Sequence, residues 1–293
     1  MPDPEPIDGD VYVSPRYLAG STFTGDPALE PLLTLGWDLQ HDEVGNAYVT
    51  APDRKVRLGY LPEGEDDGLW RITAYIDPFA QPHWGMCFNN MTPTEFVTAL
   101  TTALAKAYAE SADAYLTGPE PNPEDPDRDA FSAVQPLINR GWQVQYPRRG
   151  VMDLKPPDGM AGLEYTTGRL DPERELTTLE ARWYLWGGPT AQRPYWYATA
   201  SSNTPVPLVT AVTTCLSDPA PLPRWKDMML SSLRNHAQLT PVRPPPPPVP
   251  TPLDMQRTAP RRRPALSTRS VPRWSTTTAL PPAAPATRTG PRR

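Results

Sequence analysis

The stretch Leu32-Leu33-Thr34-Leu35-Gly36-Trp37-Asp38-Leu39 occurs twice in this chain. Its second copy is Leu137-Ile138-Asn139-Arg140-Gly141-Trp142-Gln143-Val144, an offset of 105 residues. The same offset lays Pro31 on Pro136, Pro52-Asp53 on Pro157-Asp158, Leu58 on Leu163 and Tyr60 on Tyr165. An insertion then raises it to 111, matching Arg71 with Arg182 and Pro78 with Pro189. One more residue makes it 112, which matches Trp84 with Trp196 and Thr92-Pro93 with Thr204-Pro205. A repeat of this length constrains the fold more than any local propensity, because whatever one copy forms the other must form too.

Each copy opens with a helical pattern. Asp26-Pro27 suits a helix start, since proline has no amide to leave unpaired there. Leu29, Leu32 and Leu33 follow at helical spacing, and Gly36 can end the helix in a left-handed turn. Val134, Leu137, Ile138 and Gly141 repeat the pattern. Four or five short strands come next. Residues 42–46 are a hairpin turn by composition, and residues 69–76 alternate. Trp70, Ile72, Ala74 and Ile76 take one face, Arg71, Thr73 and Tyr75 the other. Thr92-Pro93-Thr94-Glu95 then reads as a capping box opening a second helix, with Phe96, Val97, Leu100 and Leu104 as its apolar stripe. Pro207 stands where the second copy would need the glutamate, which predicts a start weaker by about 1 kcal/mol.

The expected fold class is α+β, as two tandem α-β(4–5)-α domains with antiparallel meander sheets. The expected divisions are a disordered lead-in (1–10), a first domain (11–110), an acidic proline-rich linker (111–127), a second domain (128–222), an extra helix (223–240) and a disordered tail (241–293). Composition supports the tail. Of 42 prolines many fall at the end, and residues 241–293 hold ten arginines against Asp254, a formal +9. The whole chain is −5, so residues 1–240 carry −14, an acidic body with a basic arm.

Several residues resemble a known family. Pro15-Arg16-Tyr17-Leu18-Ala19-Gly20, Gly36-Trp37, Ala51-Pro52-Asp53, Trp70, Trp84 and Thr92-Pro93 resemble the SPDY-motif domain of actinobacteria, a domain of unknown function often found as a tandem pair. Ala51 and Pro156 replace the motif's serine, no tyrosine follows Pro52-Asp53 or Pro157-Asp158, and the second copy lacks the leading Pro-Arg-Tyr-Leu-Ala-Gly. The resemblance implies the fold and brings no catalytic residues with it.

The chemistry-bearing residues point away from catalysis. His41, His83 and His236 have no metal-ligand spacing, and there is no glycine-rich phosphate loop or nucleophile elbow. His83 lies four residues from Cys87, but Tyr195 replaces it in the second copy. The acids at 63–67 and 171–180 read as loop charges. Cys87 and Cys215 are too few for a disulfide framework. No cofactor is expected. The acidic start is unlike a signal peptide and no apolar run approaches the roughly 20 residues of a membrane span, so the expected location is cytoplasmic.

The matched tryptophans read as core. The candidate binding residues are those on the other sheet face: Arg71 and Tyr75 in the first copy, Arg182, Tyr184 and Trp186 in the second. Arginine beside aromatics on a flat sheet can grip an extended peptide or stack bases. The leading expectation is a non-enzymatic interaction or adaptor protein with a protein or peptide partner. The alternative is a nucleic-acid partner held by Arg261, Arg262, Arg263 and Trp274 of the tail. An enzyme of unrecognised type is the third.

Overall fold

A computed structural model describes residues 9–64, 67–118 and 126–242. The lead-in up to residue 8, most of the acidic linker, and the tail with Arg261, Arg262, Arg263 and Trp274 lie outside these. The chain begins with β1 (Val11–Ser14), a 3-10 turn (Arg16–Leu18) and α1 (Asp26–Leu33). Strands β2 (Asp38–His41), β3 (Ala47–Thr50), β4 (Val56–Tyr60), β5 (Trp70–Ala74) and β6 (Trp84–Phe88) follow, then α2 (Thr94–Glu110) and α3 (Ala112–Leu116). The second copy runs α4 (Pro126–Ile138), β7 (Gln143–Arg148), β8 (Val151–Lys155), β9 (Ala161–Thr166), α5 (Pro172–Thr177), β10 (Trp183–Gly187), β11 (Trp196–Ala200) and α6 (Val206–Ser217). The chain closes with β12 (Leu222–Arg224), a 3-10 turn (Lys226–Met228), α7 (Ser231–His236) and β13 (Gln238–Pro241).

The two antiparallel meanders join edge to edge. Among the described residues β2 to β11 form one ten-stranded sheet in the order β2-β3-β4-β5-β6-β11-β10-β9-β8-β7. At the junction Phe88 pairs with Ala198, Met86 with Ala200, and Cys87 with Thr199. Phe88 and Ala200 are equivalent positions, as are Met86 and Ala198, so the register is that of a two-fold axis through Cys87 and Thr199. This is the geometry of an isologous dimer built within one chain. Helices α1, α2, α6 and α4 lie side by side in that order on one face. There Leu32, Leu100, Val212 and Leu137 meet Leu58, Ile72, Leu185 and Leu163 of the sheet in a single core.

The Gly-Trp segments stand in like surroundings. Gly36 and Gly141 both take positive φ, +78° and +83°. Each lets the following tryptophan amide return to a helical carbonyl, Trp37 to Leu32 and Trp142 to Leu137. Trp37 meets Tyr108 edge-on at 5.1 Å, and Trp142 meets Tyr17 at 5.9 Å.

The Thr-Pro pairs are repeated for a reason other than helix capping. Neither α2 nor α6 has a side-chain cap, so the expected capping box, and the expected difference between the helix starts, do not exist. The Thr92 hydroxyl instead donates to Asn89 and to the Tyr197 carbonyl across the junction, and Thr204 donates to the Gly85 carbonyl. Asn89 accepts the Tyr197 amide, and Ser201 accepts the Gly85 amide in the same way. Glu95, freed from the cap, pairs with Arg224 at 2.6 and 2.8 Å.

The segment 223–240 is not one helix. Leu222–Arg224 pairs with β1, and β13 pairs with the other side of β1, giving a three-stranded sheet. Val11–Ser14 is therefore its central strand, not an edge. Of the apolar residues a helix here would align, Trp225, Met228, Met229 and Leu233, the first two are exposed and the last two are buried. Part of the expected linker is structured too, since α3 buries Tyr115 and Leu116.

Helix α3 also supplies the motif the second copy was thought to lack. Tyr115-Leu116-Thr117-Gly118 precedes the second copy as Tyr17-Leu18-Ala19-Gly20 precedes the first, with Gly118 at φ +69° and Gly20 at +67°. Each docks into the other half. Tyr115 donates to Asp53 and accepts the Trp84 indole N–H on its carbonyl. Tyr17 donates to Asp158 at 2.7 Å and accepts the Trp196 indole N–H at 2.7 Å. The two halves are thus locked by a reciprocal exchange of segments.

Candidate functional site

The helices cover one face of the sheet; the side chains between the core positions make up the outer face. Pairing registers place Tyr48, Gly59, Arg71, Cys87, Thr199, Tyr184, Glu164 and Asp153 in one row across eight strands. Arg71 and Tyr184 stand symmetrically about the two-fold, three strand spacings or about 14 Å apart.

These registers correct the sequence matching. Tyr60 pairs with Trp70 and Tyr165 with Trp183, and both ring pairs have the same geometry, 4.5 Å and 48°. The counterpart of Arg71 is therefore Tyr184, not Arg182, and that of Thr73 is Trp186. The insertion is two residues longer at that point than the Arg71–Arg182 match allows.

The candidates have different fates. Arg71 is exposed on the outer face. Tyr75 is half-buried beyond the end of β5, with the Arg57 guanidinium 4.8 Å over its ring, and Ile76, expected to face the core, is exposed instead. Arg182 precedes β10 and holds the inserted loop: it donates to the Thr166 and Gly168 carbonyls and to the Ser202 hydroxyl. Tyr184 is half-buried, donates to the Ala191 carbonyl at 3.0 Å, and has its phenol pushed up to about 12 by burial and then by Glu164 and Asp67. Trp186 points to the outer face but is only 1% exposed, so it offers no free ring for stacking. It lies against Gly162, where any Cβ would meet the indole at 2.4 Å.

The insertion itself builds a site that the loop-charge reading missed. Asp171 caps α5 through the Glu173 and Arg174 amides. Glu175 is buried and accepts the amide and hydroxyl of Ser202, which pins the helix over the outer face. Leu176 then covers Gly85 of the first copy so closely that a Cβ there would meet it at 2.7 Å. Between α5 and the turn at Asp67 and Gly68 runs a groove of about 390 Å³, floored by Arg71, Thr73, Cys87 and Thr199. Tyr197 donates to Asp67 at 2.7 Å and ties the far wall to the second copy. The groove therefore straddles the two-fold and takes its floor from both copies. The sequence signal for it was the location of the insertion, the one place where the second copy is clearly longer.

Among the described residues no helix is long and apolar enough to cross a membrane, and no three His, Cys, Asp or Glu side chains are grouped to hold a metal. No curated protein and no solved structure matches the chain. A family model does, at residues 50–109 and 156–222. Those segments carry the central strands and the long helix of each half, the parts gathered around the two-fold. Those two segments match the SPDY domain, a domain of unknown function (DUF317), once in each half.

Proposed function

We propose that the protein is a binding module rather than a catalyst, and that it takes an extended polypeptide segment in the groove over the junction. The observation that carries this is the groove's construction: a flat floor from three strands drawn from both copies, walled by α5 and by the turn at Asp67 and Gly68. Arg71 offers planar donors to a peptide carbonyl or carboxylate, and Leu179, 56% exposed on the wall, offers apolar contact. The acids nearby serve the walls, Asp67 holding Tyr197 and Glu175 holding Ser202. Such a role fits an adaptor in the cytoplasm.

Random peptides displayed on phage and panned on the protein test this. The expected result is an enriched consensus whose binding falls about tenfold or more in Arg71→Ala/Leu179→Ala. No enrichment, or equal binding by the variant, rejects the groove as the site.

A second reading rests on charge. The +9 of residues 241–293 favours a polyanion such as nucleic acid held by those residues. Asp67 and Glu175 beside the groove disfavour phosphate there, so this reading does not share the groove.

A further inference from the structure

A second cavity, of about 330 Å³, lies on the outer face of the second copy alone, lined by the end of β7, by β8, β9 and β10, and by residues 189–192. Its lining includes Arg148, Asp153, Lys155, Glu164, Trp186 and Gln192. Two of these carry buried polar atoms with no hydrogen-bond partner among the described residues: Asp153 Oδ1 and Trp186 Nε1. Asp153 is 4% exposed and Trp186 1%. Leaving both unpaired is unfavourable, because each has given up water without a replacement partner. The indole can only donate and the ionised carboxylate can only accept. What satisfies both must bring a donor and an acceptor.

The charges narrow the choice. Asp153 and Glu164 face each other across β8 and β9. Lys155 Nζ sits 2.9 Å from Asp153 Oδ2 and 5.9 Å from the Trp186 ring centre, and Arg148 lies 3.8 Å from Glu164. The lining is two anions and two cations. A simple cation would meet Lys155 and Arg148, and a simple anion would meet Asp153 and Glu164. A molecule carrying both charges close together meets each sign with its opposite.

We propose that this cavity binds a small zwitterion of the free amino-acid class. Its ammonium sits on Asp153 Oδ1 beside Glu164, and its carboxylate accepts from Trp186 Nε1 with Lys155 and Arg148 alongside. In the first copy the equivalent positions are Tyr48, Gly59 and Thr73, so the two carboxylates and the indole are particular to the second copy. It shares no residue with the groove, and its failure would leave the peptide reading untouched.

The test is titration of the full chain with free L-amino acids, one at a time. Binding is read on the indole N–H resonances, with Trp186 assigned from Trp186→Phe, and by calorimetry. The expected result is that at least one amino acid moves the Trp186 resonance at about 10 mM, ten times a Kd of about 1 mM. Its affinity should fall about tenfold or more in Asp153→Asn, and likewise in Lys155→Met, which leaves the buried carboxyl in place. Its N-acetyl and carboxamide forms should bind about tenfold more weakly, and Arg71→Ala should bind normally. The proposal is overturned if no amino acid moves that resonance, if the blocked forms bind equally well, or if glycerol or glucose moves it instead.

Discussion

The two halves of the molecule share their inner face and differ on their outer one. Toward the helices they match almost residue for residue: Leu58 and Leu163, Ile72 and Leu185, Trp84 and Trp196 are all buried. On the outer face Gly59, Arg71 and Thr73 of the first half stand where the second has Glu164, Tyr184 and Trp186. The same tyrosine–aspartate–tryptophan closure recurs, but its tyrosine arrives differently. Tyr115 follows directly from α2, whereas Tyr17 follows β1, which is held between β12 and β13. A core must be packed on both sides, so duplication preserves it; an open sheet face has no such demand and is free to acquire ligands.

The largest effect should separate the two closures. Arg224 is buried, makes a bidentate pair with Glu95 and donates to the Gly20 carbonyl. Arg224→Ala leaves Glu95 unpaired and frees the segment that carries Tyr17, at about 3–5 kcal/mol in denaturant unfolding. Hydrogen exchange at the Trp196 indole should speed up more than at Trp84. Equal acceleration would mean that the closures are not independently supported.

A smaller effect tests whether the closures are equivalent. Tyr17→Phe and Tyr115→Phe should each destabilise by about 1.5–3 kcal/mol, the value of a hydrogen bond to a charged group. Burial first, then the hydrogen bond and charge of Asp158, raises the Tyr17 phenol well above its ordinary range, and burial followed by Asp53 does the same for Tyr115. The folded state therefore keeps these protons after the unfolded chain has lost them near pH 10, and stability falls as pH rises from there. Each phenylalanine variant should flatten that alkaline slope by a similar amount, measured by chemical denaturation at several pH values. A flattening in only one of them breaks the equivalence.

The smallest effect belongs to the outer face. Burial, then the charge of Asp153, raises the Glu164 carboxyl above its usual range. Its ionisation is disfavoured in the fold, so stability declines as pH rises from the ordinary glutamate value through the raised one. Glu164→Gln should remove that decline and be stabilising at neutral pH by no more than about 0.5 kcal/mol. The first half has Gly59 at this position and should contribute nothing in the same window.

Much of the fold was legible because its causes are local. Helix spacing around Leu29 and Leu32 and alternation through Trp70, Ile72 and Ala74 report which side chains face a core, and the structure buries them there. The outer-face candidates were only partly legible. Alternation placed Tyr184 and Trp186 on the correct face but was silent about α5 and residues 189–192, which cover it. The Arg71–Arg182 match failed because one shared residue within an insertion cannot compete with cross-strand pairing; aligning Trp70 with Trp183 would have found the register. Thr92-Pro93 was misread because a capping box and a junction use the same hydroxyl, and only the partner across the junction distinguishes them.

By itself the sequence determined that there are two copies, the order of the main helices and strands in each and most of the side chains that turn inward, since these follow from chain stereochemistry and the burial of apolar surface. The tertiary structure alone decided that β6 pairs with β11, that the two Tyr-Leu segments change places, and that an insertion in one half roofs the sheet of the other. Those outcomes depend on backbone groups and side chains far apart in the chain. An exposed strand edge offers the same N–H and C=O row to any neighbour, so the choice of partner is made by packing around it.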